Sequence, residues 1–212
     1  MLVAIPLFER FTALDAIGPY EVLQRVPSID VVFVGHQLGE VRSDNGMLGV
    51  MVDKSFAEVT RPDVVVFPGG IGTRVLLNDD EVRDWVREAH NHTTYTTSVC
   101  TGSLVLAAAG LLTGLTATTH WRAVELLNSL GARYVPQRVV EHAPERLITA
   151  AGVSSGIDMA LRLVELLVSR EAAQASQLMI EYDPEPPFDS GDLAKASDEV
   201  RELATEFYLD RS

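Results

Sequence analysis

The chain holds one cysteine among its 212 residues, Cys100, in the segment TTYTTSVCTGSLVLAAAG at 93–110. A β-rich run feeds straight into an alanine-rich run, and the thiol falls at the junction. A nucleophile on a tight strand-to-helix turn needs small neighbours two positions away on either side. Ser98 and Gly102 meet that need, so Ser-x-Cys-x-Gly has the shape of a nucleophile elbow. A free thiol has a pKa of about 8.5, and a helix N-terminus lowers it. Cys100 is therefore expected to ionise readily, with the Thr101 hydroxyl as a further donor to the sulfur. The plain alternative is an inert buried thiol; strand, turn, small flanks and helix together favour the nucleophile.

Other segments supply candidate partners. Gly69 and Gly70 follow the strand-like run DVVVFP and offer backbone N–H groups to a developing negative charge. Asp15, after the first apolar run, is either a helix N-cap or a carboxyl group beside the thiol. Two such acids side by side cannot both ionise cheaply. The second reading therefore has a protonated Asp15 that hydrogen-bonds the sulfur and delivers its proton to a substrate. His120, in ATTHW, lines a pocket or serves the structure. His90 and His92 read as surface residues. No Cys/His cluster with metal-ligand spacing is present, and no Gly-rich phosphate loop.

The elements that must position these groups follow from the patterning. Strands are predicted at Leu2–Leu7, Asp30–Gly35, Asp63–Phe67, Tyr95–Val99, Arg133–Glu141 and Leu147–Ala151. Asp44-Asn45-Gly46 marks a β-hairpin within Val41–Ser55. Helices are predicted at Asp15–Arg25 (interrupted by Gly18-Pro19), Asp79–His90, Thr101–Ala109, Trp121–Leu130, Ser155–Ser169, Glu171–Glu181 and Leu193–Tyr208. Continuous β-branched runs alternating with helices imply an α/β fold, a mostly parallel sheet with helices on both faces. Residues 1–190 read as one domain, and 191–212 as its acidic helical tail.

Composition narrows the function. Apolar residues make up 47% and charged residues 22%, an ordinary globular mix. The net charge of −13 argues against broad nucleic-acid binding. No run is long and apolar enough to span a bilayer, and MLVAIPLF lacks the basic start of a signal peptide. With a single cysteine and hence no internal disulfide, a cytoplasmic location is expected.

With these residues in view, the chain resembles the ThiJ/PfpI superfamily of glutamine-amidotransferase-like α/β sandwiches, and within it the isonitrile hydratases. The motifs are LDAIGPYEVL (Leu14–Leu23), VVFPGG (Val65–Gly70), SVCTGSLVLAAAGLLTG (Ser98–Gly114), ATTHW (Ala117–Trp121), GVSSGID (Gly152–Asp158) and QLMIEYDPEPPF (Gln177–Phe188). The resemblance implies a flavodoxin-like three-layer sandwich with a nucleophile elbow. It implies Cys100 as nucleophile, Asp15 as its carboxylic partner and Thr101 as a donor near the sulfur. Gly69, Gly70, Ile71, Gly152 and His120 would border a small-molecule substrate. It further implies a homodimer, no cofactor and no metal.

Thr101 stands where the protease-like members carry histidine, which disfavours a Cys-His triad. Asp15 stands where the glyoxalase-like members carry glutamate. Similar sandwiches form the sensor half of AraC-type regulators. The expected reaction is hydration of an isonitrile to an N-substituted formamide, begun by the Cys100 thiolate. Another cysteine-dependent reaction, or a non-catalytic small-molecule or redox sensor, remains open on these residues.

Overall fold

Valine-rich and other apolar runs build the centre of the molecule. In the computed structural model, which describes residues 1–209, they form a seven-stranded sheet in the order β10-β11-β7-β6-β1-β2-β5. The strands are β1 (Leu2–Pro6), β2 (Asp30–Gly35), β5 (Lys54–Ser55), β6 (Val64–Phe67), β7 (Tyr95–Val99), β10 (Val139–His142) and β11 (Leu147–Ala150). All neighbours run parallel except the antiparallel edge pair β10–β11. Every residue of β6 and β11 is buried, as a strand covered on both faces requires.

Two groups of helices flank this sheet. In one, α1 (Ala13–Leu23), α6 (Ser155–Leu167) and α7 (Arg170–Met179) pack together. In the other, α4 (Gly102–Ala108) packs on α2 (Thr73–Leu76), α3 (Asp80–His92) and α5 (Val124–Ser129). This is the flavodoxin-like architecture expected from the sequence. Among the described residues, no helix is long and apolar enough to cross a membrane.

The strand order explains where chemistry can occur. The chain leaves β1 for β2 on one side, then returns past β1 to β6 and β7 on the other. The order thus reverses between β1 and β6, and the strands' carboxyl ends open a crevice there. The segments following β1, β6 and β7 meet at this crevice, and they carry Asp15, Gly69-Gly70 and Cys100.

Several element boundaries differ from the sequence reading, each for a local reason. The hairpin forms as β3 (Gly39–Arg42) and β4 (Gly49–Val52), a separate two-stranded sheet, whereas Ser55 joins the main sheet. The single strand expected over Arg133–Glu141 is split. Its start is β9 (Arg133–Tyr134), paired with β8 (Thr116–Ala117), and β10 begins beyond Pro136, which has no N–H for a ladder. α1 continues through Pro19 rather than breaking. α6 stops at Leu167, and Ser169 caps α7 by accepting a hydrogen bond from the Ala172 N–H at 3.1 Å. The short helix α2 is absent from the sequence reading.

The chain divides into two compact units, Met1–Ile180 and the part from Glu181 onward. The second unit contains α8 (Asp198–Leu209), which begins later than the Leu193 expected. Within it the Arg201 side chain donates to the Leu193 carbonyl and pairs with Asp198.

α1 and α6 approach closely because small residues face the contact. A β-carbon at Gly156 would lie 3.0 Å from a Val99 methyl and 3.2 Å from the Pro19 ring. A β-carbon at Gly18 would lie 3.1 Å from the Ile157 side chain. This contact holds α1, and with it Asp15, against the base of the elbow. Gly156→Leu is expected to overpack the contact and destabilise the fold by about 1–3 kcal/mol. A lower urea midpoint with an unchanged slope would show this; an unchanged midpoint would mean that the crossing is loose.

Candidate active site

Cys100 occupies the turn between β7 and α4 with φ of 56°, the left-handed region that non-glycine residues seldom enter. Such a conformation costs on the order of 1–2 kcal/mol and persists only where surrounding bonds fix it. Here the Cys100 N–H donates to the Ala150 carbonyl at 2.9 Å. Its carbonyl accepts from the Ser103 hydroxyl at 3.0 Å and from the Thr119 hydroxyl at 3.1 Å. The small flanks are also required: any β-carbon at Gly102 would overlap the Phe67 carbonyl. The fully buried Ser98 leaves its hydroxyl without a hydrogen-bond partner.

Asp15 lies in the first turn of α1 but does not cap it, since Thr12 holds the N-cap position. Its carboxyl is fully buried and turned towards the elbow. Oδ2 accepts the Gly69 N–H at 2.9 Å, Oδ1 has no conventional hydrogen-bond partner, and the group interacts directly with the Cys100 thiol. Burial raises the Asp15 pKa from 3.8 to about 8, outweighing the Gly69 and Cys100 interactions that lower it; nearby Asp44 adds to the rise. Asp15 is therefore mainly a carboxylic acid at neutral pH, as the like-charge argument requires.

The thiol differs from the sequence expectation. Cys100 is only 5% exposed, and its pKa is raised well above the ordinary value rather than lowered. Burial is the main cause and the Asp15 charge the next; the Thr101 N–H and hydroxyl favour the thiolate but do not offset them. A few partial dipoles cannot replace the lost hydration of a full charge. The resting pair is thus a thiol beside a carboxylic acid, able to exchange protons without exposing a bare charge.

The two glycines also serve differently from the role expected of them. The Gly69 N–H is held by Asp15, and the Gly70 N–H donates to Thr101 Oγ1 at 2.9 Å. Thr101 Oγ1 in turn donates to the Gly70 carbonyl at 3.1 Å. Both N–H groups are occupied in locking three loops together, so neither stands ready for an oxyanion. The Ile71 N–H, at the rim, donates to Asp44 Oδ1 at 3.4 Å, and Asp44 Oδ2 accepts from the Thr12 hydroxyl at 2.7 Å. Asp44 is a site neighbour that the sequence reading took only as a turn residue.

Gly152 and His120 complete the surroundings. Gly152 has φ of 101°, and a β-carbon there would lie 2.5 Å from the Cys100 Cβ and 3.0 Å from its Sγ. Only glycine fits against the thiol. His120 is half-buried and next to Thr119, which holds the Cys100 carbonyl. Burial first, then the charges of Arg122 and Arg74, lower the His120 pKa to about 4, so the ring is neutral. Its Nδ1 accepts the Arg122 N–H at 3.4 Å, which places the ring proton on Nε2. Of the other histidines, His92 pairs with Glu88, whereas His90 is half-buried and bonds the Thr96 hydroxyl. Among the described residues, no three His, Cys, Asp or Glu side chains gather as a metal site.

Comparison with known proteins shows which chains this one resembles. The profile of the DJ-1/PfpI family matches residues 1–166. An isonitrile hydratase of Pseudomonas putida is 44% identical over 202 residues, covering 93% of this chain and 87% of that protein. A crystal structure of a ThiJ/PfpI family protein from Pseudomonas syringae superposes with a TM-score of 0.92 at 34% identity, covering 99% of this chain and 86% of that one. The HTH-type transcriptional regulator CdhR of Pseudomonas aeruginosa is 32% identical over 165 residues, 76% of this chain but 48% of the regulator.

The buried acid has a measurable consequence for stability. Asp15 keeps its proton in the folded state up to about pH 8 but loses it near 3.8 when unfolded. Between these values the unfolded state binds fewer protons, so the Asp15 contribution to stability falls as pH rises and levels off above about 8. Asp15→Asn keeps the shape without the charge. It is expected to flatten this dependence and to stabilise the protein at pH 7 by on the order of 2–4 kcal/mol. Urea unfolding of both forms across pH 4–9 tests this, and parallel curves would overturn it.

Proposed function

The chain belongs to the DJ-1/PfpI family, and from that premise we propose that it is an isonitrile hydratase, converting R–NC and water into R–NH–CHO. The observation that carries this reading is the buried Asp15–Cys100 pair, both members of which hold their protons near neutrality. The terminal carbon of an isonitrile must gain a nucleophile and a proton at one atom. A thiol and a carboxylic acid in contact supply both.

In the first half-reaction Cys100 Sγ bonds to the terminal carbon while the Asp15 carboxyl gives that carbon its proton and takes the thiol proton in exchange. The product is a thioimidate, R–N=CH–S–Cys100, with Asp15 again protonated. In the second half water adds to the same carbon as its proton passes by way of Asp15 to the imidate nitrogen. The carbinol collapses, the C–S bond breaks, and the hydroxyl proton returns to sulfur through Asp15, releasing the formamide. Every proton is accounted for within the pair, water and substrate. This coupling replaces the free thiolate expected from the sequence, because a separated charge in so buried a place is costly. The Thr101 N–H, directed to the sulfur, eases the charge that develops during transfer. The reading also has the chain acting on a small molecule as a cytoplasmic homodimer.

Burial of the thiol disfavours a redox sensor, since oxidation follows thiolate character and exposure. A different cysteine-dependent reaction would be recognised by its product.

Incubation with an uncharged aromatic isonitrile, followed by chromatography, is expected to yield the formamide. Cys100→Ala should abolish it, and Asp15→Asn should lower the rate by about 10²–10⁴-fold. The wild-type rate should decline above about pH 8, where Asp15 loses the proton it must donate. Full activity in Cys100→Ala, or a different product from the wild type, would overturn the reading.

A further inference from the structure

A chain with a net charge of −13 sets two guanidinium groups, Arg74 and Arg122, near His120, whose neighbour Thr119 holds the Cys100 carbonyl. Arg74 begins from the short helix after the Gly69-Gly70 turn, and its Nη1 donates to the Gly70 carbonyl at 3.3 Å and to Thr73 Oγ1 at 3.2 Å. Gly70 is itself closed onto Thr101, the residue after Cys100. Arg122 comes from the opposite loop, where its guanidinium lies 5.2 Å from the centre of the Trp121 ring. The His120 ring, 5.5 Å from that of Trp121, feels both charges.

Arg74 is half-buried, yet among the described residues no carboxylate pairs with it and its Nε and Nη2 have no hydrogen-bond partner. The free edge of such a guanidinium can grip a carboxylate through two parallel bonds of its planar fork. The acidic groups nearest the site do not serve. Asp15 is bound to Gly69 and protonated, and Asp44 is bound to Thr12 and Ile71. His120 is neutral and bound on Nδ1, so it neither neutralises an incoming anion nor competes for it.

We propose that the substrate of this site carries a carboxylate, and that Arg74 receives it while the isonitrile carbon lies at Cys100. The inference rests on the hydratase reading for the reacting group, whereas the carboxylate is read from Arg74 and its surroundings. An anionic substrate would otherwise be repelled by so acidic a chain; a local positive field at the crevice overcomes this and orients the molecule with its reactive end inward.

Two measurements test it. The first compares kcat/KM for a carboxylate-bearing aromatic isonitrile and its uncharged methyl counterpart. The wild type should prefer the anion, and Arg74→Met should lower the preference about tenfold, with Arg74→Lys restoring part of it. The second compares alkylation of Cys100 by iodoacetate and by iodoacetamide in the same variants. The iodoacetate-to-iodoacetamide rate ratio should fall about fivefold or more in Arg74→Met, and high salt should lower it in the wild type. The kcat/KM ratio is internal to one variant, so unfolded, inactive protein cancels from it; alkylation is compared only on protein that circular dichroism shows to be fully folded.

Alkylation ratios equal in wild type and Arg74→Met would overturn the carboxylate site, even if neutral isonitriles are hydrated. A falling ratio with no hydration of either isonitrile would support the carboxylate site and overturn the hydratase reading instead.

Discussion

The contact between a buried carboxyl and a buried thiol sets the conditions for the rest of this structure. Either group alone would ionise within reach of neutral pH in water. Side by side and out of water, each raises the cost of the other's charge, and burial raises both. The surroundings hold the two acids together without letting either relax to the surface. The Gly69 N–H fixes one oxygen of Asp15, Ala150 fixes the backbone of Cys100, and Thr101 ties the elbow to Gly70. Stability is spent on that arrangement, which is a usual feature of sites poised for proton transfer.

Holding the pair requires three loops at one place, and the sheet provides it. Reversal of strand order between β1 and β6 brings the ends of β1, β6 and β7 around a single crevice. Close approach then depends on missing side chains. Gly102 lets the elbow pass the Phe67 carbonyl, and Gly152 lets the β11–α6 connection lie against the thiol. Gly156 and Gly18 let α6 and α1 cross tightly enough to support Asp15. These glycines lie far apart in sequence but answer one steric demand.

The site as a whole joins a neutral proton-exchanging floor to a positively charged rim. A floor of this kind suits chemistry that avoids separated charge, and the rim brings Arg74 and Arg122 near the His120 ring. His120 belongs to the rim and remains neutral because it is buried near two guanidinium groups. Its place in the sequence, one residue after the hydroxyl that holds the Cys100 carbonyl, gives it this position.

By itself the sequence determined the local pieces, because each depends on nearby residues. Ser-x-Cys-x-Gly between a β-branched and an alanine-rich run specified the elbow, and buried apolar strands alternating with helices specified the parallel sheet. The nearness of Asp15 to Cys100 could be argued as a carboxyl beside a thiol, but its rival, an N-cap, had equal local standing. Tertiary structure decided between them, since only the fold buries Asp15 and turns it to Gly69. The same is true of the thiol's ionisation. A helix N-terminus is a local feature and pointed to a thiolate, whereas desolvation is set by everything packed around the sulfur and points to a thiol. The engaged N–H groups of Gly69 and Gly70, the nearness of Asp44, and the convergence of Arg74 with His120 and Arg122 likewise join residues from separate loops. No local pattern encodes them, because hydration and distance across a fold are properties of the assembled chain.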